Sequence, residues 1–257
     1  MQHSSPAPRP RSGLIAGAAC PLRALGILRR HPSLWRYIIV PILLSVIAAA
    51  LIYGVLLFAG LRAIDRLLGE AEGVTAALAF VLQFILVVSL LIVAGFLLVR
   101  IGVVLGSPWY SRLSERIEQL LIGGQPGPPT SPGRVWFDLA RAVGYEARKL
   151  LLILGVGAPL LAINVIPGLG QALAAAGGLA LGATIACLDF FEGPLERRRR
   201  SFGQKLGFIR RTLPGSAGFG LACTGLLAVP VVNLLALPVC VAGGTLFFVE
   251  HQDRDLA

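Results

Sequence analysis

The sequence predicts an all-α integral membrane protein: two long transmembrane helices, two hairpins of broken short helices, and amphipathic helices at the interface. Three observations predict it. Of 257 residues, 56% are hydrophobic and only 14% are charged, against about 25% charged in soluble domains, and the mean hydropathy is +0.79. Two uncharged runs, Tyr37–Gly60 and Gly73–Val99, reach 24 and 27 residues, enough for a span of about 20. A third run, Thr212–Val249, holds 38 residues without Asp, Glu, Lys or Arg. Pro230, Asn233 and Pro238 interrupt it. Proline removes a backbone donor and crowds the preceding turn, so this run reads as two short helices around a break.

From the N-terminus, residues 1–12 are rich in Pro, Ser and Arg and are expected to be disordered. Leu14–Arg30, within an interfacial segment 13–31, reads as one amphipathic helix at the membrane surface, with Leu22, Leu25, Ile27 and Leu28 among Arg23, Arg29 and Arg30. Leu14–Cys20 faintly suggests a lipoprotein signal, but the apolar run is short and the helical pattern resumes at Leu22. No cleavage is expected. His31, Pro32 and Ser33 break the helix, and Ser33 is a natural N-cap for the next.

The first span, 37–60, carries Pro41 in its first turns, where it would bend the helix. A polar loop follows with Arg62, Asp65, Arg66, Glu70 and Glu72. The second span, 73–106, is interrupted by Arg100, whose long side chain can snorkel to the interface. Ser107 and Pro108 read as a cap and first helical position. They would open a cytoplasmic pair of amphipathic helices over 107–149. The first has Trp109, Leu113 and Ile117 on one face. Its Glu115 and Glu118 are placed to pair with Arg112 or another arginine across helices. Gly123–Gly133 is a turn-rich loop. The second helix sets Val135, Leu139 and Val143 against Arg134, Asp138 and Arg141, and ends at Arg148 and Lys149.

Two broken hairpins follow, over 150–188 and 212–249. The first breaks at Pro167, Gly168, Leu169 and Gly170. Each half would hold roughly 16 to 18 residues, or about 24–27 Å of helix against a hydrocarbon core of about 30 Å. A pair that enters and leaves on one side fits that length. Such breaks are tolerated only where the freed backbone is buried or lines a cavity. Ile166-Pro167 precedes Ala176, Gly177 and Gly178, much as Val229-Pro230 precedes Ala242, Gly243 and Gly244. Paired Gly/Pro breaks point to a transporter site, although small residues also serve helix packing. Pro167, Gly168, Gly170, Pro230, Asn233 and Pro238 are therefore candidates for a solute path. Asn233 has a second reading, a hydrogen bond to a partner helix or to freed backbone.

Charge supports the topology. If both hairpins return to their starting side, 21 of the 23 Lys and Arg lie on one face and two on the other. The positive-inside rule makes that face, and both termini, cytoplasmic. The net charge of +10 then concerns orientation and lipid headgroups, and nucleic-acid binding is set aside. Arg197–Arg200 could bind anionic lipid or anchor the topology. Cys20, Cys187, Cys223 and Cys240 form no CxxC pair and read as small buried hydrophobes. Glu250, His251, Gln252 and Asp253 offer ligand-type residues, but on what reads as a polar tail. No metal, cofactor or catalytic centre is expected: GxSxG, HExxH and a Walker loop are all missing.

Several runs together resemble a known family. They are Gly106-Ser107-Pro108-Trp109 with Leu113–Glu118; Ile166–Gln171; Asp189-Phe190-Phe191 with Ser201-Phe202; and Phe219-Gly220 on through Pro230, Asn233 and Pro238 to Thr245. Their order and spacing are similar to the bacterial CysZ sulfate permeases and the related eukaryotic etoposide-induced membrane proteins. The resemblance covers about Gly13 to the C-terminus. It implies an oligomeric, all-helical protein of the cell (inner) membrane with hemi-penetrating hairpins. It also implies sulfate entry for cysteine synthesis without an ATPase subunit.

The family's anion site resembles a Pro-Gly-hydrophobe-Arg-Arg turn at the start of the first span. The matching run here is Pro32-Ser33-Leu34-Trp35-Arg36, with serine for the glycine and tryptophan for the first arginine. Ser33, Leu34 and Arg36 are thus the candidate anion-binding residues: unpaired N–H groups at a helix start, a hydroxyl, and a guanidinium fork suited to an oxyanion. Trp35, Arg36 and Tyr37 also suit an interfacial belt. Two functions stay open: a permease for sulfate or a related oxyanion, and a non-transporting scaffold that binds or shapes the membrane.

Overall fold

The computed structural model describes residues 13–68, 73–123 and 135–252. The expected tail 1–12, Glu70 and Glu72 of the polar loop, most of the turn-rich loop (124–133), Arg134 and Asp253 lie outside the described residues. All regular structure among the described residues is helical. The chain divides into two compact units. One is Trp35–Tyr110; the other joins the residues through Leu34 to those from Ser111 on.

The Trp35–Tyr110 unit is built from α3 (Arg36–Leu68) and the first part of α4 (Val74–Ile122). Tyr37 of α3 meets Trp109 of α4, and Gly60 lies where a methyl would strike the Leu86 side chain at 2.7 Å. The two helices therefore run antiparallel. Their other faces are strongly apolar and open: Leu51 is 65% exposed, Phe80 71%. A water-soluble chain would bury such a surface, whereas hydrocarbon accepts it, and the backbone polar groups are satisfied within each helix. Pro41 lies inside α3 without ending it, and the Ser45 hydroxyl donates to the Pro41 carbonyl at 2.7 Å.

In the other unit come α1 (Leu14–Ala18), α2 (Cys20–Arg30), a 3-10 turn at Pro32–Leu34, the last turns of α4, and α5 (Val135–Ile163). Then follow α6 (Leu169–Phe190), α7 (Glu192–Arg197), α8 (Phe202–Arg211), α9 (Gly215–Leu227) and α10 (Pro230–His251). A phenylalanine cluster forms the core. Phe191 stacks on Phe219 at 5.0 Å and on Phe247 at 5.1 Å, with Phe208 edge-on at 5.6 Å. Cys20, Cys187, Cys223 and Cys240 are free thiols buried in this core, as small hydrophobes would be.

Small residues let the backbones meet. A methyl on Gly218 would run into the Leu14 carbonyl of α1, and one on Gly220 into the Ala183 carbonyl of α6. Where backbones touch there is no flexible side chain to yield, so these contacts depend on glycine.

Five expectations are corrected. Leu14–Arg30 is two helices parted at Ala19, and it does more than lie on a surface. Gly17, Cys20, Pro21, Ala24 and Leu28 are buried, with α1 packed on α9 and α2 on α10. No helix starts at Ser107: α4 continues through Pro108 for 49 residues. A proline removes only one helical hydrogen bond, and the many helical turns on both sides carry the helix across. Likewise α5 runs unbroken past Lys149. In the last hairpin, the break is confined to Ala228 and Val229. Pro230 opens α10 at its first position, where its missing donor costs nothing. Pro238 sits inside α10 and does not break it. The halves of this hairpin are accordingly unequal, 13 and 22 residues. By length and composition, Pro32–Leu68, Ala76–Gly95 and Leu169–Phe190 are long and apolar enough to cross a membrane, and Gly215–Leu227 is shorter.

Candidate functional site

Pro32, Ser33 and Leu34 form the 3-10 turn that precedes the first long helix. Leu34 is buried, and its N–H donates to the His31 carbonyl at 3.0 Å. That donor is taken up within the turn. Ser33 is exposed but is not the N-cap: α3 begins at Arg36, and the Trp35 carbonyl accepts from Ile38 at 3.0 Å and Ile39 at 2.8 Å. The 3-10 turn at Pro32–Leu34 intervenes, so the helix starts two residues later than a Ser33 cap would place it.

Arg36 opens α3 and is exposed. Its Nη2 donates to the Tyr37 hydroxyl at 2.8 Å, and its guanidinium carbon lies 4.8 Å from the Tyr37 ring centroid. Tyr37 is only 7% exposed and packs on Trp109, with centroids 6.3 Å apart and planes at 53°. A cation is thus held at a helix N-terminus, where the peptide dipoles also favour negative charge.

The other candidates fall into two groups. Pro167, Gly168 and Gly170 shape the turn between α5 and α6. Gly168 takes φ +77°, and a methyl on Gly170 would collide with the Ile163 carbonyl. The tip is apolar and open, with Val165 81% exposed. Pro230 and Asn233 belong to the first turn of α10, where the Asn233 N–H donates to the Val229 carbonyl at 2.9 Å. Pro238 lies farther along the same helix, buried.

Sequence reasoning missed a polar network behind the end of α4. Glu118 is buried and accepts from Arg197 at 2.5 Å and Arg198 at 2.7 Å. Arg197 also donates to the Ser114 hydroxyl at 3.0 Å, which accepts from Thr245 of α10 at 2.7 Å. An arginine across helices is indeed Glu118's partner, but the pair is enclosed rather than surface-exposed. The signal was present: Ser114 and Glu118 stand four apart, each beside a buried apolar residue, Leu113 and Ile117. A second cluster surrounds Lys205, which is buried, bonds Glu196 at 2.8 Å and sits 4.0 Å from the Tyr145 ring centroid. Burial pushes the nearby Glu192 carboxyl above the usual carboxylate range, with Lys205 pulling it back. Glu250 and His251 are no polar tail. Glu250 is buried against Arg23, and His251 stacks on Phe247 at 4.2 Å.

Long helices with open apolar faces in one unit, and an apolar, glycine-packed core in the other, define the class: an all-helical integral membrane protein. Residues 20–238 match the family described as sulfate transporter CysZ/etoposide-induced protein 2.4. The chain belongs to that family. Curated relatives named sulfate transporter CysZ include one from Pseudomonas aeruginosa, 24% identical over 86% of this chain and 90% of the relative. One from Vibrio cholerae is 27% identical over 85% and 87%, and one from Salmonella enteritidis is 27% identical over 85% and 86%.

Proposed function

We propose that this protein is a permease for sulfate or a related oxyanion, feeding sulfate assimilation from the cell (inner) membrane. The observation that carries the reading is the family match over residues 20–238, together with relatives named for sulfate transport along nearly their whole length. Membership in a transporter family supports transport over catalysis. Arg36 and the helix start it occupies supply the cytoplasmic anion site, with the exposed Ser33 beside them in sequence. The breaks at Pro167–Gly170 and around Pro230, with Asn233 and Pro238 beyond, provide backbone and amide groups along the path. Both termini lie in the cytoplasm, as the distribution of basic residues supports. Lipids flank the long helices, and the protein assembles as a homo-oligomer.

Complementation tests this reading. In a bacterium that cannot take up sulfate, expression of the protein restores growth on sulfate as sole sulfur source. Arg36→Ala lowers that growth at limiting sulfate and spares it at high sulfate. No restoration despite membrane-inserted protein would favour the scaffold.

A further inference from the structure

We propose that Tyr37 is a positioning residue for the anion site: it holds the Arg36 guanidinium in place without cancelling its charge. The inference rests on the reading of Arg36 as the anion-binding cation. Two partly buried arginines elsewhere in the chain are held by carboxylates, Arg23 by Glu250 and Arg197 by Glu118. A carboxylate orients a guanidinium but also neutralises it, so such an arginine has little attraction left for an anion. Among the described residues Arg36 has no carboxylate partner, and its bond goes to the neutral Tyr37 hydroxyl at 2.8 Å. The phenol ring adds an attractive face 4.8 Å from the guanidinium carbon.

Tyr37 can hold Arg36 because it is itself fixed. It is 7% exposed and rests against Trp109. A guanidinium has five N–H donors. The bond to Tyr37 takes one, and the others can form a fork on a tetrahedral oxyanion. A free arginine would lose rotamer freedom on closing around the anion; one held beforehand loses less, which raises affinity.

The test is sulfate uptake into proteoliposomes across a range of sulfate concentrations, for wild type, Tyr37→Phe, Arg36→Ala and the double variant. Phenylalanine keeps the ring on Trp109 and removes only the hydroxyl, so the protein's thermal melting should not move. Tyr37→Phe is expected to raise the half-saturating sulfate concentration about tenfold, as losing a charge-assisted hydrogen bond does, with the maximal rate unchanged. In the Arg36→Ala background, the same change is expected to do nothing further, because Tyr37 acts only through Arg36. Unaltered half-saturation in Tyr37→Phe, or an equal rise in both backgrounds, would overturn the positioning role and leave the Arg36 site standing. Wild-type behaviour of Arg36→Ala would overturn the site and this inference with it.

Discussion

Glu118 and Lys205 are both buried charges, yet they should respond differently to substitution. Glu118 is 8% exposed at its side chain and holds two guanidiniums. Removing its charge leaves two partly buried cations with no counter-ion. Glu118→Gln is therefore expected to cost about 2–3 kcal/mol, below the 3–5 typical of a fully buried pair, and to lower the melting temperature in detergent. Lys205 is 1% exposed, but its partner Glu196 is 43% exposed and also ion-paired with Arg141 at 3.2 Å. Lys205→Met fills the same space and leaves Glu196 both paired and solvated, so the change should stay within about 1 kcal/mol. Glu192 adds a pH dependence. Its folded carboxyl binds a proton more tightly than an ordinary one, chiefly through burial, so its contribution to stability is fully present at low pH and lost as pH rises through its raised folded value. Glu192→Gln should thus be more stable than wild type at neutral pH. That advantage should vanish as pH falls below the ordinary glutamate value of 4.5.

Between helices, the decisive contacts are glycines that touch backbone. Gly220→Ala would put a methyl into the Ala183 carbonyl of α6. α6 and α9 must then part, at about 1–3 kcal/mol. Gly225 lies in the same helix with open space around it, so Gly225→Ala should instead stabilise by up to about 1 kcal/mol through helix propensity. Thermal melting of the two variants separates packing from propensity. Helix positions were legible where hydrophobic runs are long: α3 and α4 run through the uncharged stretches at 37–60 and 74–99. Helix ends were less legible. Proline and serine at 107–108 carry every local mark of a start, yet α4 continues, because a local signal worth a few kcal/mol competes with many flanking turns. The same competition carries α10 through Pro238. At the candidate site, Arg36 could be read from its place at a span's start. Tyr37's proposed role could not, since it depends on Trp109, far along the chain.

At the scale of the whole molecule, a highly apolar chain has placed its charges with economy. Its cations lie outside the long uncharged runs, and the buried Lys205 and the partly buried Arg23 and Arg197 are matched by carboxylates. Arg36, exposed at the start of a long helix, is bonded instead to a phenol. That arrangement suits a permease that must bind an anion weakly enough to release it. The central claim is tested most directly by radiolabelled sulfate flux into proteoliposomes carrying the purified protein, beside empty liposomes. The account predicts time-dependent, saturable sulfate accumulation that Arg36→Ala reduces about tenfold at low sulfate, in keeping with the loss of a charge-assisted contact. Flux no greater than in empty liposomes, from protein shown to be folded by its melting transition, would contradict it.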